Sequence, residues 1–259
     1  MGVKTALVLS AGGMFGAYQA GVWKELSAYF RPDMVVGTSV GALNGWTIAG
    51  GVAPDELLRY WADESVAAFL RPQIPLPWRG FFDHHSFRRN VQELFERFKP
   101  QIPFGVVLTD ALRLRPSLVQ SEQVTWKHLA AACAIPAGLP PVRIDGRWYV
   151  DGGVLNALPL WAAAKMGATR AIAVNALPVL PSTLLRAGAD AIRWISPKGP
   201  ARGDLEVITI SPKASLGTVS ESVRWNRDNI ERWMERGAED ARRVVPQLSG
   251  RDWRAPVLQ

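Results

Sequence analysis

The sequence predicts an α/β fold with a mainly parallel central sheet of about six strands flanked by helices. Three observations lead there. Short aliphatic runs recur between glycine-rich turns, two of those turns lead straight into helical patterns, and 259 residues supply enough chain for one large core. A single domain over residues 1–259 is expected, with its motif-bearing core at about 4–212.

Ala6-Leu7-Val8-Leu9 reads as a buried strand, ended by Ser10-Ala11-Gly12-Gly13 and followed by Tyr18, Val22, Trp23, Leu26 and Phe30 at helical spacing. The order then repeats. Met34-Val35-Val36 runs into Gly37-Thr38-Ser39-Val40-Gly41 and a small-residue helix from Ala42 to about Ala49, closed by Gly50-Gly51. Two consecutive strand–turn–helix units imply a parallel sheet. Residues 55–70 carry Leu57, Leu58, Trp61 and Val66 on a helical face, and Pro72, Pro75 and Pro77 prevent its continuation. The apolar, structurally broken segment 74–82 fits either a lid over a pocket or a surface loop docked on the core. Further strands are predicted at 106–108, 147–150, 171–174 and 205–210, and helices near 125–133 and 159–166. A long amphipathic helix is predicted over about 219–244, with Val223, Ile230, Trp233 and Met234 on its apolar side.

Apolar residues make up 48% of the chain and charged residues 20%, which excludes a largely disordered protein. The single cysteine, Cys133, has no partner for an internal disulfide and lies in an apolar run, so it reads as a core residue. No Cys/His cluster has zinc-site spacing; neither a metal nor another cofactor is expected. The N-terminus lacks a signal-peptide pattern, no apolar run reaches the roughly 18 residues of a membrane span, and Ala6 stands where an acylation signal at Gly2 needs Ser or Thr. A cytoplasmic protein is the expectation. A net charge of +7 favours anionic partners, but the basic residues are spread and form no nucleic-acid motif. Eleven tryptophans suit a lipid interface better, so peripheral membrane contact is expected through 74–82, Leu184-Leu185 and Trp194, with no nucleic acid bound.

The pentapeptide Gly37-Thr38-Ser39-Val40-Gly41 lies between an apolar strand and a helix, the setting in which a sharp turn exposes a serine hydroxyl. Gly37 and Gly41 let the chain turn and leave room for an acyl carbon to approach Ser39. An attacking serine also needs donors for the oxyanion. The turn Ser10–Gly16 opens a helix with free N–H groups, those of Gly12 and Gly13 first and Met14 next. Such a turn also suits phosphate, although the first glycine of a dinucleotide fingerprint is replaced by Ala11 and no P-loop Lys-Ser/Thr pair is present. For the base, the only histidines are His84, His85 and His128, and none lies later in the chain, as the α/β-hydrolase order of serine, acid and histidine demands. The best carboxylate is Asp151, at the end of a strand and followed by Gly152 and Gly153. A Ser-Asp pair requires that carboxylate to be partly desolvated.

These pieces in this order resemble the patatin-like phospholipase family through most of the chain. Gly37–Asn44 is similar to its nucleophile motif, Asp151-Gly152-Gly153 to its aspartate motif, and Cys133–Val142 with Ile144–Arg147 to the segment between them. The resemblance implies a three-layer α/β fold, Ser39 as nucleophile, Asp151 as base, oxyanion donors at Gly12 and Gly13, and metal-free cleavage of lipid or lysolipid acyl esters. Gly16 matches the last glycine of the family's Gly-Gly-Gly-x-Arg-Gly run, whereas Ala11 and Phe15 depart from it, Phe15 removing a cation from the motif. Acyl transfer through the same acyl-enzyme is the alternative reaction, and a weakly active lipid-binding protein, motivated by Phe15, is the alternative role.

Overall fold

The computed structural model describes residues 2–64, 72–76, 80–82, 84–136, 138–178 and 201–248, with only the backbone described at 72–76, 80–82 and 84. Of the membrane-contact segments expected above, Trp78, Leu184-Leu185 and Trp194 lie outside the described residues, as does Val66.

The strands are β1 (Thr5–Leu9), β2 (Met34–Thr38), β3 (Pro72–Leu76), β4 (Gly80–Phe82), β5 (Phe104–Asp110), β6 (Arg115–Gln120), β7 (Val142–Ile144), β8 (Arg147–Asp151), β9 (Arg170–Val174) and β10 (Glu206–Ile210). The helices are α1 (Gly16–Leu26), α2 (Val40–Ala49), α3 (Pro54–Ala62), α4 (His84–Arg97), α5 (Trp126–Ala132), α6 (Leu160–Lys165), α7 (Val219–Ser222) and α8 (Arg227–Leu248). Among the described residues, eight strands form one sheet in the order β10-β9-β1-β2-β5-β8-β7, with β6 also paired to β5. The first five members run parallel, while β6, β7 and β8 are antiparallel to their neighbours.

Strand alternation divides the interior into two layers. Leu7, Leu9, Val35, Val106 and Ile172 pack with helices α1 to α5 and α8 on one face. Their neighbours Ala6, Val8, Val36, Val107 and Ala173 pack with Trp161, Ala162 and Ala163 of α6 on the other. Burial on both faces explains why β1, β2 and β9 read as near-continuous apolar runs.

The sheet exceeds the expected six strands by β6 and β7. Strand β6 is half-exposed and contains Pro116, so it lacks the apolar signature of a central strand. Strand β7 is short and pairs with β8 across Asp145-Gly146, whose φ angles of 47° and 78° are those of a tight hairpin turn. Helix α3 ends at Ala62 because Asp63 is extended, not at about residue 70. Part of the segment expected to be structurally broken is ordered: β3 and β4 pair antiparallel. Helix α4 follows and was not expected, although Phe87, Val91 and Leu94 fall at helical spacing and are buried. The predicted helix over about 219–244 is two helices. Asn226 Oδ1 accepts from Asn229 N (3.0 Å) and starts α8 afresh, and the Trp225 indole turns inward to donate to Trp61 O (3.1 Å).

Candidate active site

Two strands share one edge of β5. Strand β6 occupies the far edge from Gly105 to Asp110, so β2 and β8 must lie along the same near edge. Strand β2 covers Phe104 to Val107, with Thr38 opposite Val107, and β8 takes over with Asp151 opposite Leu108. Since β2 is parallel to β5 and β8 antiparallel, their carboxyl ends meet head-on. Residues 39 and 151 come together at that junction.

Ser39 is the turn between β2 and α2, with φ 54° and ψ −135°. A side-chain-bearing residue at such a φ costs on the order of 1–3 kcal/mol, and the surroundings hold it there. A Cβ on Gly41 would stand 2.5 Å from the carbonyl oxygens of Leu9 and Ser10, and one on Gly37 would stand 2.1 Å from Gly41 O. The first turn of α2 therefore seats directly on the end of β1, which forces the sharp bend. Ser39 Oγ, at the helix N-terminus, donates to Asp151 Oδ2 at 2.6 Å.

Asp151 is buried, and its other oxygen, Oδ1, accepts from Gly153 N at 2.7 Å. Burial pushes its pKa up to about 7; the hydrogen bonds from Ser39 and Gly153 pull the other way and only partly offset it. A Cβ on Gly152 would meet Val107 O at 2.2 Å and Thr38 Oγ1 at 2.4 Å, directly over the strand junction. Gly152→Ala is expected to destabilise the fold by about 3 kcal/mol through overpacking. In a thermal melt this is a fall of roughly 6–10 °C in Tm.

The other glycine turn lies beside this pair. Ser10 N and Ala11 N are engaged by Val174 O (3.1 Å) and Ala157 O (2.8 Å). The next three N–H groups, of Gly12, Gly13 and Met14, have no acceptor among the described residues, as at the start of any helical turn. Gly13 has φ 57°, and a Cβ there would meet Ser222 O at 2.2 Å. Gly13 and Met14 line the same cleft as Ser39, whereas Gly12 is not among its lining residues and faces Ala176. Gly16 packs on Val40, and Gly153 on Ala11. Phe15 is fully buried, edge-on to Trp233 at 4.8 Å between ring centroids, so its side chain belongs to the α1–α8 core and does not line the cleft.

Several neighbours carry no motif. Trp61 Nε1 donates to Asn44 Oδ1 (3.0 Å), Asn44 Nδ2 to Gln19 Oε1 (3.0 Å) and Gly16 O (2.9 Å), and Gln19 Nε2 to Ser10 O (2.7 Å). This buried chain ties the cleft wall on α3 to the glycine turn. The signal in the sequence was a lone amide on each of two otherwise apolar helix faces. His128 serves elsewhere: its Nδ1 accepts from Thr125 N (3.0 Å) at the start of α5, and burial lowers its pKa. His85 is exposed. The Cys133 thiol borders the cleft, but burial and the nearby Asp151 push its pKa up, which keeps it protonated. Among the described residues no cluster of His, Cys, Asp or Glu could hold a metal ion, and no helix is long and apolar enough to cross a membrane.

The family model for patatin-like phospholipase matches residues 7–164, more than half of the chain. Patatin-like phospholipase domain-containing protein 6 of Mus musculus is 31% identical over 181 residues, which are 66% of this chain and 13% of that protein. Lysophospholipase NTE1 of Mycosarcoma maydis is 27% identical over 182 residues, 67% of this chain and 10% of that protein. The chain thus spans a small part of the relatives that it matches. In structure, VipD from Legionella pneumophila shares the fold at a TM-score of 0.52 and 12% identity, over 95% of this chain and 67% of that one. By the family match across the strand–turn–helix core that bears Ser39 and Asp151, the chain belongs to the patatin-like phospholipase family.

Proposed function

We propose that this protein hydrolyses fatty-acyl esters of phospholipids or lysophospholipids through an acyl-enzyme on Ser39, with Asp151 as general base. The observation that carries the reading is the 2.6 Å hydrogen bond from Ser39 Oγ to the buried Asp151 carboxylate, at one end of an apolar cleft. That cleft is walled by Leu43, Leu57, Trp61, Phe87, Leu94 and Ile135, a lining that suits an acyl chain and offers little to a polar substrate.

In the first step Ser39 Oγ bonds to the ester carbonyl carbon as its proton passes to Asp151 Oδ2. Charge gathers on the former carbonyl oxygen, and the free N–H groups of Gly13 and Met14 supply donors for it. The tetrahedral species collapses, the C–O bond to the alcohol breaks, and Asp151 returns the proton to the leaving oxygen. Water then attacks the acyl carbon, giving its proton to Asp151, and Ser39 leaves with that proton as the fatty acid is released. A pKa of about 7 suits both duties, because Asp151 takes and returns a proton near neutral pH.

The test is the pH profile of kcat/KM for fatty-acid release from a lysophospholipid. The base must be ionised, so the rate rises about tenfold per pH unit below its pKa and levels off above about 7. A rate already level at about pH 5 removes a base of pKa about 7 from the mechanism.

A further inference from the structure

The β5–β6 turn and the neighbouring β7–β8 hairpin form a second surface, and none of their residues lines the cleft. Five large apolar side chains are exposed among the described residues. Leu112 is the most open of them at 78%, and Trp148 is 41% exposed. The two are neighbours in space, since Ala111 N donates to Trp148 O at 2.8 Å. Four arginines, Arg113, Arg115, Arg143 and Arg147, are exposed around them. The Arg143 guanidinium lies 5.9 Å from the Trp148 ring centroid. Arg113 stands 3.9 Å from Asp110, and no ion pair is found for Arg115, Arg143 or Arg147 among the described residues. Of the nearby acids, Asp145 is exposed, while Asp110 is buried, its Oδ1 accepting from Leu112 N (3.2 Å) and Arg113 N (3.0 Å). Those two bonds fix the turn and present Leu112 outward.

Position adds a third argument. Strand β5 runs parallel to β2 and continues past Val107, the partner of Thr38, so its tip projects from the end of the sheet that bears Ser39. An exposed aliphatic tip, an aromatic ring beside it and a rim of cations match, group for group, the acyl layer, the interfacial zone and the anionic headgroups of a bilayer.

We infer that Leu112, Trp148 and the surrounding arginines are a docking patch for bilayers containing anionic phospholipid. Leu112 enters the acyl layer, Trp148 sits at headgroup depth, and Arg115, Arg143 and Arg147 meet lipid phosphates and carboxylates. A single-stranded nucleic acid would use the arginines and the indole but leave Leu112 without a partner. The patch extends the proposed lipid hydrolysis to a membrane surface, although docking itself does not depend on turnover.

The test is co-sedimentation of the full chain with vesicles of phosphatidylcholine alone and of phosphatidylcholine mixed with phosphatidylserine. Partition is expected to favour the mixed vesicles. Replacing the three arginines together (Arg115→Gln, Arg143→Gln, Arg147→Gln) should weaken it by roughly a hundredfold, at about fivefold per cation. Leu112→Asn, at a loop tip that supports no core, should weaken it by roughly tenfold or more. Hydrolysis of a short water-soluble ester should be unchanged in both variants. Equal partition of parent and variants overturns the patch. So does loss of single-stranded oligonucleotide binding in the variants with vesicle binding intact. A parent that binds mixed vesicles through these residues but cleaves no ester would sink the proposed reaction and leave the patch standing.

Discussion

Ser39→Ala is expected to lower kcat/KM for lysophospholipid hydrolysis by at least about 10⁴-fold, because among the described residues no other hydroxyl or thiol is hydrogen-bonded to Asp151. Cys133, the nearest rival by chemistry, is a protonated thiol beside the cleft and inherits nothing from the loss. A fluorophosphonate should label the parent at one residue and the variant not at all. The fold should survive the change, since alanine keeps the Cβ already tolerated at φ 54°. Ser39→Gly offers a control: it removes the backbone strain and should melt higher than the alanine variant by the equivalent of about 1 kcal/mol, while being equally inactive. Retention of more than a tenth of the parent activity by either variant would exclude Ser39 as the nucleophile.

Asp151→Asn should lower kcat by about 10³-fold or more and at the same time stabilise the protein at alkaline pH. The amide fits: its oxygen accepts from Gly153 N, and its NH₂ donates to Ser39 Oγ, so neither neighbour loses a partner. The sign of the stability change follows from the proton. Folded Asp151 keeps its proton up to about pH 7, whereas an unfolded aspartate releases it near pH 4. Between those values the folded state binds more protons, so stability falls as pH rises through the interval and stays low above it. A shift of about three units corresponds to on the order of 4 kcal/mol. The asparagine variant has no charge to bury, so its advantage in urea unfolding should be largest at about pH 8 and vanish near pH 4. Parallel pH dependences for parent and variant would show that Asp151 is not the strained group.

The pieces of the candidate site were legible because each sits in a short contiguous motif where a strand ends. Ser39 and its glycines, the Gly12–Gly13 turn and Asp151-Gly152-Gly153 are each identifiable from local backbone demands. What joins them was not. The shared edge of β5 is a matter of register between strands far apart in sequence, and no residue in β2 or β8 announces that the other will continue its line. The link from Trp61 through Asn44 and Gln19 to Ser10 was hidden for the same reason, since its members come from the turn after β1 and from α1, α2 and α3. Two misses had local signals. Asp145-Gly146 is a strong hairpin dipeptide, and Phe87, Val91 and Leu94 mark α4, which directly follows a proline-interrupted segment. The place of Phe15 was not legible either: its ring is folded into the core against Trp233, so the position that departs from the motif's cation does not line the cleft.

The head-on meeting of β2 and β8 also sets when the proposed site can be assembled. Ser39 and its carboxylate are separated by 112 positions, and neither the amino-terminal strand–turn–helix units nor the β7–β8 hairpin holds both. Contacts of such long sequence separation carry a loop-closure cost that neither local unit can offset alone. An emerging or partly unfolded chain therefore presents a serine with no base beside it. On the proposed mechanism, competence to attack an ester would arrive only with the completed sheet.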